Sequence, residues 1–251
     1  MTRILKVAVV GAGGRMGSEA VRAINTAEDM DLVAALGSGD SLQELVDAGA
    51  EIVVDLTVPS VTEKNVRFAV ENGMHAVVGT TGWDTERLEN LRALLAENPQ
   101  VGVLIAPNFA IGSILATEFA AKAARYFDSV EVIEMHHPNK VDAPSGTAVH
   151  TARKIAEARV NAGVGESPDA TEHDEGGSRG AVVDGVHVHA VRLRGLVAHQ
   201  EILLGDPGQQ LVIRHDSFDR ASFMPGVLLG VREVAQQPGL THGLDGYLDL
   251  S

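Results

Sequence analysis

The run Glu134-Met-His136-His137-Pro-Asn-Lys140-Val-Asp142-Ala-Pro-Ser-Gly146-Thr147 gathers two imidazoles, an amine and a helix-opening Ser-Gly-Thr in one strand-to-helix passage. His136 titrates near neutral pH and Lys140 carries a transferable proton, so both suit general acid work. Pro144 and Gly146 shape a turn into a helix, which would leave the N–H groups of Gly146 and Thr147 unpaired at its N-terminus. Such groups receive carboxylates, and His137 and Lys140 add positive charge beside them. Hydride addition to a C=N or C=C bond leaves an anion or an amide nitrogen that must be protonated. A cationic acid next to a carboxylate clamp therefore fits a small dicarboxylate that accepts hydride. Taken singly, each feature has a plain structural reading: a satisfied core histidine, a solvated loop, an ordinary helix cap. A metal site is a poor reading. His136 and His137 would point to opposite faces of a strand, and His187 and His189, which share a face, lack an evident third ligand.

A hydride acceptor needs a donor, and the N-terminus offers a place for one. Gly11-Ala12-Gly13-Gly14-Arg15-Met16-Gly17 follows a buried strand and opens a helix, the setting in which glycines let a backbone approach a pyrophosphate. Gly11, Gly14 and Gly17 follow a G-x-x-G-x-x-G spacing, since the simpler register would place Met16 at the third glycine. The second strand should end in a carboxylate for the adenosine ribose. It ends instead Ala34-Ala-Leu36-Gly37-Ser38-Gly39, with Asp40 three residues beyond Gly37 in a position to cap a helix. Arg15 could meet a 2′-phosphate, so the expectation is that NADPH serves at least as well as NADH. Two further strand ends, Gly79-Thr80-Thr81-Gly82 and Ala106-Pro107-Asn108-Phe109, would line the nicotinamide end.

These residues need elements to hold them. The first half alternates β-branched runs with helical stretches: strands at 7–10, 31–36, 51–56, 75–78 and 101–105, helices at 16–26, 41–47, 61–72 and 84–98, the last capped by Asp84 or Thr85. Near-continuous apolar strands alternating with helices predict a Rossmann-type doubly wound parallel α/β sheet. After Asn108 the pattern changes to a long Ala-rich helix at 112–127, a strand at 129–135 and a helix at 146–162. A polar loop follows at 163–180, then strands at 186–194, 198–204 and 210–215 that read as an antiparallel meander. A last amphipathic helix spans 220–236 and could dock on the first domain. The predicted domains are 1–107 with 217–251 for the dinucleotide, and 108–216, α+β, for substrate and assembly.

Composition narrows the partners. The chain has 251 residues, is 45% hydrophobic and carries a net charge of −14 with no cysteine. An acidic chain without a basic block is an unlikely match for nucleic acid or an anionic membrane, and any anion site in it must be local. No thiolate nucleophile, disulfide or cysteine-held zinc is available. No apolar run is long enough to cross a membrane, and no basic segment leads into an apolar one, which points to a cytoplasmic, globular, soluble protein.

The E-x-H-H-x-x-K-x-D-A-P-S-G-T run closely resembles the signature of the 4-hydroxy-tetrahydrodipicolinate reductase (dihydrodipicolinate reductase) family of lysine and diaminopimelate synthesis. Val9–Gly17, Val78–Gly82, Ala106–Gly112, His189–Gly195 and Ile213–Ser217 are similar to that family in the same order. The resemblance implies that His136 donates or accepts a proton and Lys140 donates one. It places His137, Gly146 and Thr147 on the substrate, and Gly11 to Met16, Gly79 to Thr81 and Ala106 to Phe109 on the cofactor. It also implies a homotetramer joined through the sheets of the second domain, here 182–215. Many bacterial members, especially actinobacterial ones, carry an acid where Gly37 stands, so this departure bears on cofactor choice and leaves the reaction alone. Two rivals remain: another Rossmann dehydrogenase acting on an amino-acid semialdehyde or hydroxy acid, and a non-catalytic NADP sensor.

Overall fold

The computed structural model describes residues 3–249. In chain order it contains β1 (Leu5–Val10), α1 (Arg15–Thr26), β2 (Met30–Leu36), α2 (Gln43–Asp47), β3 (Ile52–Asp55), α3 (Thr62–Glu71), β4 (His75–Val78), α4 (Thr85–Glu97) and β5 (Gly102–Ile105). There follow α5 (Ile111–Ala123), β6 (Ser129–His136), α6 (Gly146–Asn161), β7 (Ala181–Val183), β8 (Val186–Arg192), β9 (Ala198–Asp206), β10 (Gln209–Ser217), α7 (Met224–Glu233) and β11 (Gly239–His242). The chain divides into two compact units, Met1–Ile111 with Arg220–Ser251, and Gly112–Asp219.

The first unit is a six-stranded sheet in the order β11-β5-β4-β3-β1-β2, every pairing parallel. Its inner strands are apolar and shielded on both faces, as crossover helices require. One face packs Val78, Val103 and Ile105 against Val66 and Val70 of α3 and Leu91 and Leu95 of α4. Asp84 caps α4 by accepting from the N–H of Arg87 at 2.9 Å, as its position predicted. On the other face Gly230 of α7 lies against Leu104 and Val77, where a Cβ would stand 2.9 and 3.1 Å from their methyl groups. The final helix is shorter than its pattern suggested. Pro225 opens α7, and the residues before and after it, Arg220–Phe223 and Val234–Gln236, wind as 3-10 turns. Proline supplies no N–H and crowds the preceding turn, so the α-helix begins around it. β11, an edge strand, did not stand out in the sequence.

The second unit has a five-stranded sheet in the order β10-β9-β6-β8-β7. The sheet is mostly antiparallel, as expected, with three of its four pairings antiparallel, but the expected simple meander is corrected to a mixed order. β9 and β10 pair as a hairpin, but β6 runs between β8 and β9, parallel to the former and antiparallel to the latter. The link from β8 to β9 has the length of a hairpin loop, yet it spans two strand spacings, about 10 Å, well within the reach of its extended chain. α5 and α6 cover one face of the sheet, where Ala116, Ala120, Ala148, Ala152 and Ile155 meet Val130, Val132, Val188, Ile202 and Leu204. Small alanines let the helices approach closely. The result is a rigid seat for the end of β6, where the reactive run begins.

Candidate active site

In the first unit the parallel register aligns four strand ends. Val10 pairs with Asp55, Asp55 with Val78 and Val78 with Ile105, so the loops after β1, β3, β4 and β5 leave along one carboxyl edge. That edge is where open α/β sheets bind ligands. Gly11 turns with φ 85°, and a Cβ there would stand 2.6 Å from Leu56 O; on Gly17 it would stand 2.0 Å from Gly11 O. Only glycine fits both places. Of the loop N–H groups, those of Gly11 and Ala12 donate to Leu36 O and that of Gly14 donates to Gly11 O. Those of Gly13, Arg15 and Met16 find no acceptor among the described residues and open α1 toward solvent. A pyrophosphate fits this cradle.

The other residues expected at the cofactor differ in how far their side chains are used within the fold. Thr80 is buried, and its hydroxyl donates to Asp55 Oδ1 at 2.7 Å and accepts from Thr57 N–H at 2.9 Å. Its side chain belongs to a knot in which Asp55 also accepts from Thr57 Oγ1 and Asn65 Nδ2. Phe109 is buried as well, with its ring beneath Gly79, where a Cβ would stand 2.8 Å from it. Ala106 N–H donates to Val78 O, and Asn108 Oδ1 accepts from Ala110 N–H. Thr81 and Pro107 are exposed. Asp55 was missed by sequence reasoning; an acid closing the apolar strand Ile52-Val-Val-Asp55 was the available signal.

Within the second unit the reactive run is organised around Glu134, whose side chain is wholly shielded from solvent. Glu134 Oε2 receives His136 Nδ1 at 2.6 Å and Arg192 Nη1 at 2.7 Å; Oε1 receives Arg192 Nη2 at 2.8 Å and Ser145 N–H at 3.0 Å. Burial alone would raise its pKa, but Arg192, His136 and the Ser145 N–H together hold the carboxyl below its ordinary value. An ionised Glu134 fixes His136 with its proton on Nδ1 and leaves Nε2 open. Burial lowers the pKa of His136, and Glu134 opposes that shift. The imidazole gives its proton up readily. Arg192 also donates to Asp142 O at 2.7 Å, tying the turn to β8.

The carboxylate clamp differs from expectation in one respect. The Gly146 N–H is not open: it donates to Asp142 Oδ2 at 3.2 Å, while Asp142 Oδ1 lies 2.8 Å from Lys140 Nζ. Lys140 beside it lowers the Asp142 pKa. The Thr147 N–H has no acceptor among the described residues, and Ser145 Oγ caps α6 by accepting from Ala148 N–H. His137 lies one residue past the end of β6, so it does not alternate with His136 on a strand. Its Nδ1 is buried without a hydrogen-bond partner among the described residues, an unsatisfied group of the kind that a bound ligand completes. His187 and His189 are tied into hydrogen bonds, His189 Nε2 with Glu131 Oε2 at 2.7 Å and His187 Nδ1 with the backbone carbonyl of Arg179 at 2.6 Å. These contacts use them structurally.

A glycine-cradled loop at the carboxyl edge of a parallel sheet, in a chain that also carries His136 and Lys140 in the passage from β6 to α6, is the arrangement of an NAD(P)-dependent oxidoreductase. The family description "Dihydrodipicolinate reductase, N-terminus" matches residues 5–109, and "Dihydrodipicolinate reductase, C-terminus" matches residues 112–248. The chain belongs to the dihydrodipicolinate reductase family, which serves lysine and diaminopimelate synthesis. It is 61% identical over 247 residues to the 4-hydroxy-tetrahydrodipicolinate reductase of Streptomyces griseus, covering 98% of this chain and 99% of that one. The Nocardia farcinica reductase of the same name is 60% identical over 246 residues, with 98% and 99% covered. A solved structure, dipicolinate-bound dihydrodipicolinate reductase from Paenisporosarcina sp. TG-14, superposes with a TM-score of 0.86 at 40% identity, covering 98% of this chain and all of that one.

Proposed function

We propose that this chain reduces the dihydrodipicolinate ring, formed by loss of water from 4-hydroxy-tetrahydrodipicolinate, to tetrahydrodipicolinate. NADH or NADPH, when bound at the glycine loop, supplies the hydride. The N–H groups of Gly13, Arg15 and Met16 hold the pyrophosphate, with the loops at Gly79 to Thr81 and Ala106 to Phe109 lining the remainder of the cofactor. Lys140, His137, Gly146 and Thr147 hold a substrate carboxylate. The observation that carries this reading is Asp142: its carboxylate already sits between Lys140 Nζ and the Gly146 N–H, so these donors form a carboxylate receptor. The acid is either His136, once Nε2 has taken up a proton to give the imidazolium, or Lys140 Nζ, and it delivers the proton that completes saturation of the ring bond. Atoms balance: one hydride and one proton add across one double bond.

The test is oxidation of NADH or NADPH with substrate generated in place by the preceding synthase. Lys140→Ala and His136→Ala should each lower kcat by about a hundredfold or more, the scale of lost general acid catalysis. Near-normal turnover in both variants would remove the assignment. Turnover on an aldehyde panel would favour a semialdehyde dehydrogenase instead.

The same reading includes a homotetramer assembled through the second unit's sheet, where edge strand β10 leaves Leu211 and Val212 exposed. It also includes a cytoplasmic location; no helix among the described residues is long and apolar enough to cross a membrane. Light scattering of the purified chain should report four copies.

A further inference from the structure

The end of β2 lies directly against the glycine loop, because Gly11 and Ala12 both donate to Leu36 O, at 2.9 and 3.0 Å. In a dinucleotide domain this strand end ordinarily carries the carboxylate that accepts from the adenosine ribose. Gly37 stands there without a side chain. A carboxylate nevertheless occupies the place. Asp40 turns back so that its Oδ2 accepts from the Gly37 N–H at 2.7 Å. That oxygen lies 3.6 Å from the point where a Cβ on Gly37 would stand, and apart from Gly37 and its chain neighbours no other atom of the described residues lies within 4 Å of that point. Asp40 has thus moved into the space that a side chain on Gly37 would take.

The following helix does not need it. α2 is preceded by Leu42 as N-cap with no side-chain cap, Ser41 Oγ accepts from Gln43 N–H, and Glu44 reaches the Ser41 N–H. Asp40 is therefore no helix cap, and its Oδ1 has no partner among the described residues. We propose that Asp40 supplies the ribose carboxylate that Gly37 lacks, and so makes NADH the favoured cofactor. Oδ1 accepts from the ribose 2′-hydroxyl of NADH. In NADPH a phosphate stands at that position, and its negative charge meets that of Asp40. Arg15, exposed on the loop and without a carboxylate partner among the described residues, is the cation that opposes this preference. Both residues were visible in the sequence; the reach of Asp40 back to Gly37 reverses the preference expected from the absent acid.

The test measures Kd for NADH and for NADPH by calorimetry with no second substrate present, so it stands apart from the assignment of the reaction. A wrong ring substrate would show as absent turnover with cofactor binding intact. The unaltered enzyme should bind NADH more tightly. Asp40→Asn keeps an acceptor for the Gly37 N–H but removes the charge; it should weaken NADH by about tenfold, the scale of a hydrogen bond to a charged group, and tighten NADPH. Gly37→Asp combined with Asp40→Asn returns the carboxylate to the strand end and should restore the NADH preference. Arg15→Ala should weaken NADPH more than NADH. The proposal fails if the unaltered enzyme binds NADPH more tightly, or if Asp40→Asn leaves both constants unchanged or scales both alike.

Discussion

Arg192 grips Glu134 through two parallel hydrogen bonds, Nη1 to Oε2 at 2.7 Å and Nη2 to Oε1 at 2.8 Å, and the carboxylate they hold is fully enclosed. Arg192→Gln leaves that carboxylate short of its compensating charge and should cost about 3 kcal/mol of stability by urea denaturation, the scale found when one partner of a buried pair is removed. Arg192→Lys keeps the charge but loses the fork and the further bonds to Asp142 O and Val191 O, so it should recover only part of the loss. A lysine variant as stable as the parent would mean that charge alone matters here.

Glu134→Gln acts on the proton chemistry. Burial lowers the pKa of His136 and Glu134 raises it, so removing the carboxylate should lower it further. If His136 is the donor it must be protonated, and kcat/KM falls as pH rises through its pKa. In the glutamine variant that fall should come at lower pH, with activity at neutral pH reduced about tenfold. A variant that only loosened the fold would lower the whole profile without moving it.

The sequence made the strand-helix alternation legible because each βα unit encodes its own period and caps; Asp84 and Ser145 both cap the helices they precede. What it hid were relationships between residues far apart in the chain. Glu134 and Arg192 are 58 residues apart, and no spacing rule pairs them. The insertion of β6 between β8 and β9 is likewise invisible, because a short loop fits a hairpin and a skipped strand equally well. At the site, residue types were readable, but the internal use of their groups was not. Thr80 bonds to Asp55, Phe109 packs beneath Gly79, and the Gly146 N–H holds Asp142.

Asp142 occupies donors proposed here for the substrate, so its removal should affect binding before catalysis. A substrate carboxylate must displace Asp142 from Lys140 and Gly146, and it feels the repulsion of that charge. Asp142→Asn should lower KM several-fold and tighten dipicolinate binding, while kcat falls because Lys140 loses the partner 2.8 Å away that holds it. An unchanged KM with reduced kcat would make Asp142 a positioning residue for Lys140 alone.

His75, at the start of β4, links the fold to pH. Its Nδ1 accepts from the Gly102 N–H at 2.9 Å, a bond that requires an unprotonated nitrogen. Burial lowers its pKa, with Glu51 raising it and Arg3 lowering it to a lesser degree. Burial lowers His136 and His215 in the same direction. Between the ordinary histidine value near 6.5 and these lower folded values, the unfolded chain binds protons that the native chain refuses. Native stability must then fall as pH drops below the ordinary histidine value through this window. Urea denaturation at about pH 7.5 and about pH 5.5 should show the loss. His75→Asn retains an acceptor for Gly102 but cannot titrate, so its stability should depend less steeply on pH than that of the parent. An equally steep dependence would mean that His75 binds its proton alike in both states, and that the histidines of the second unit carry the effect.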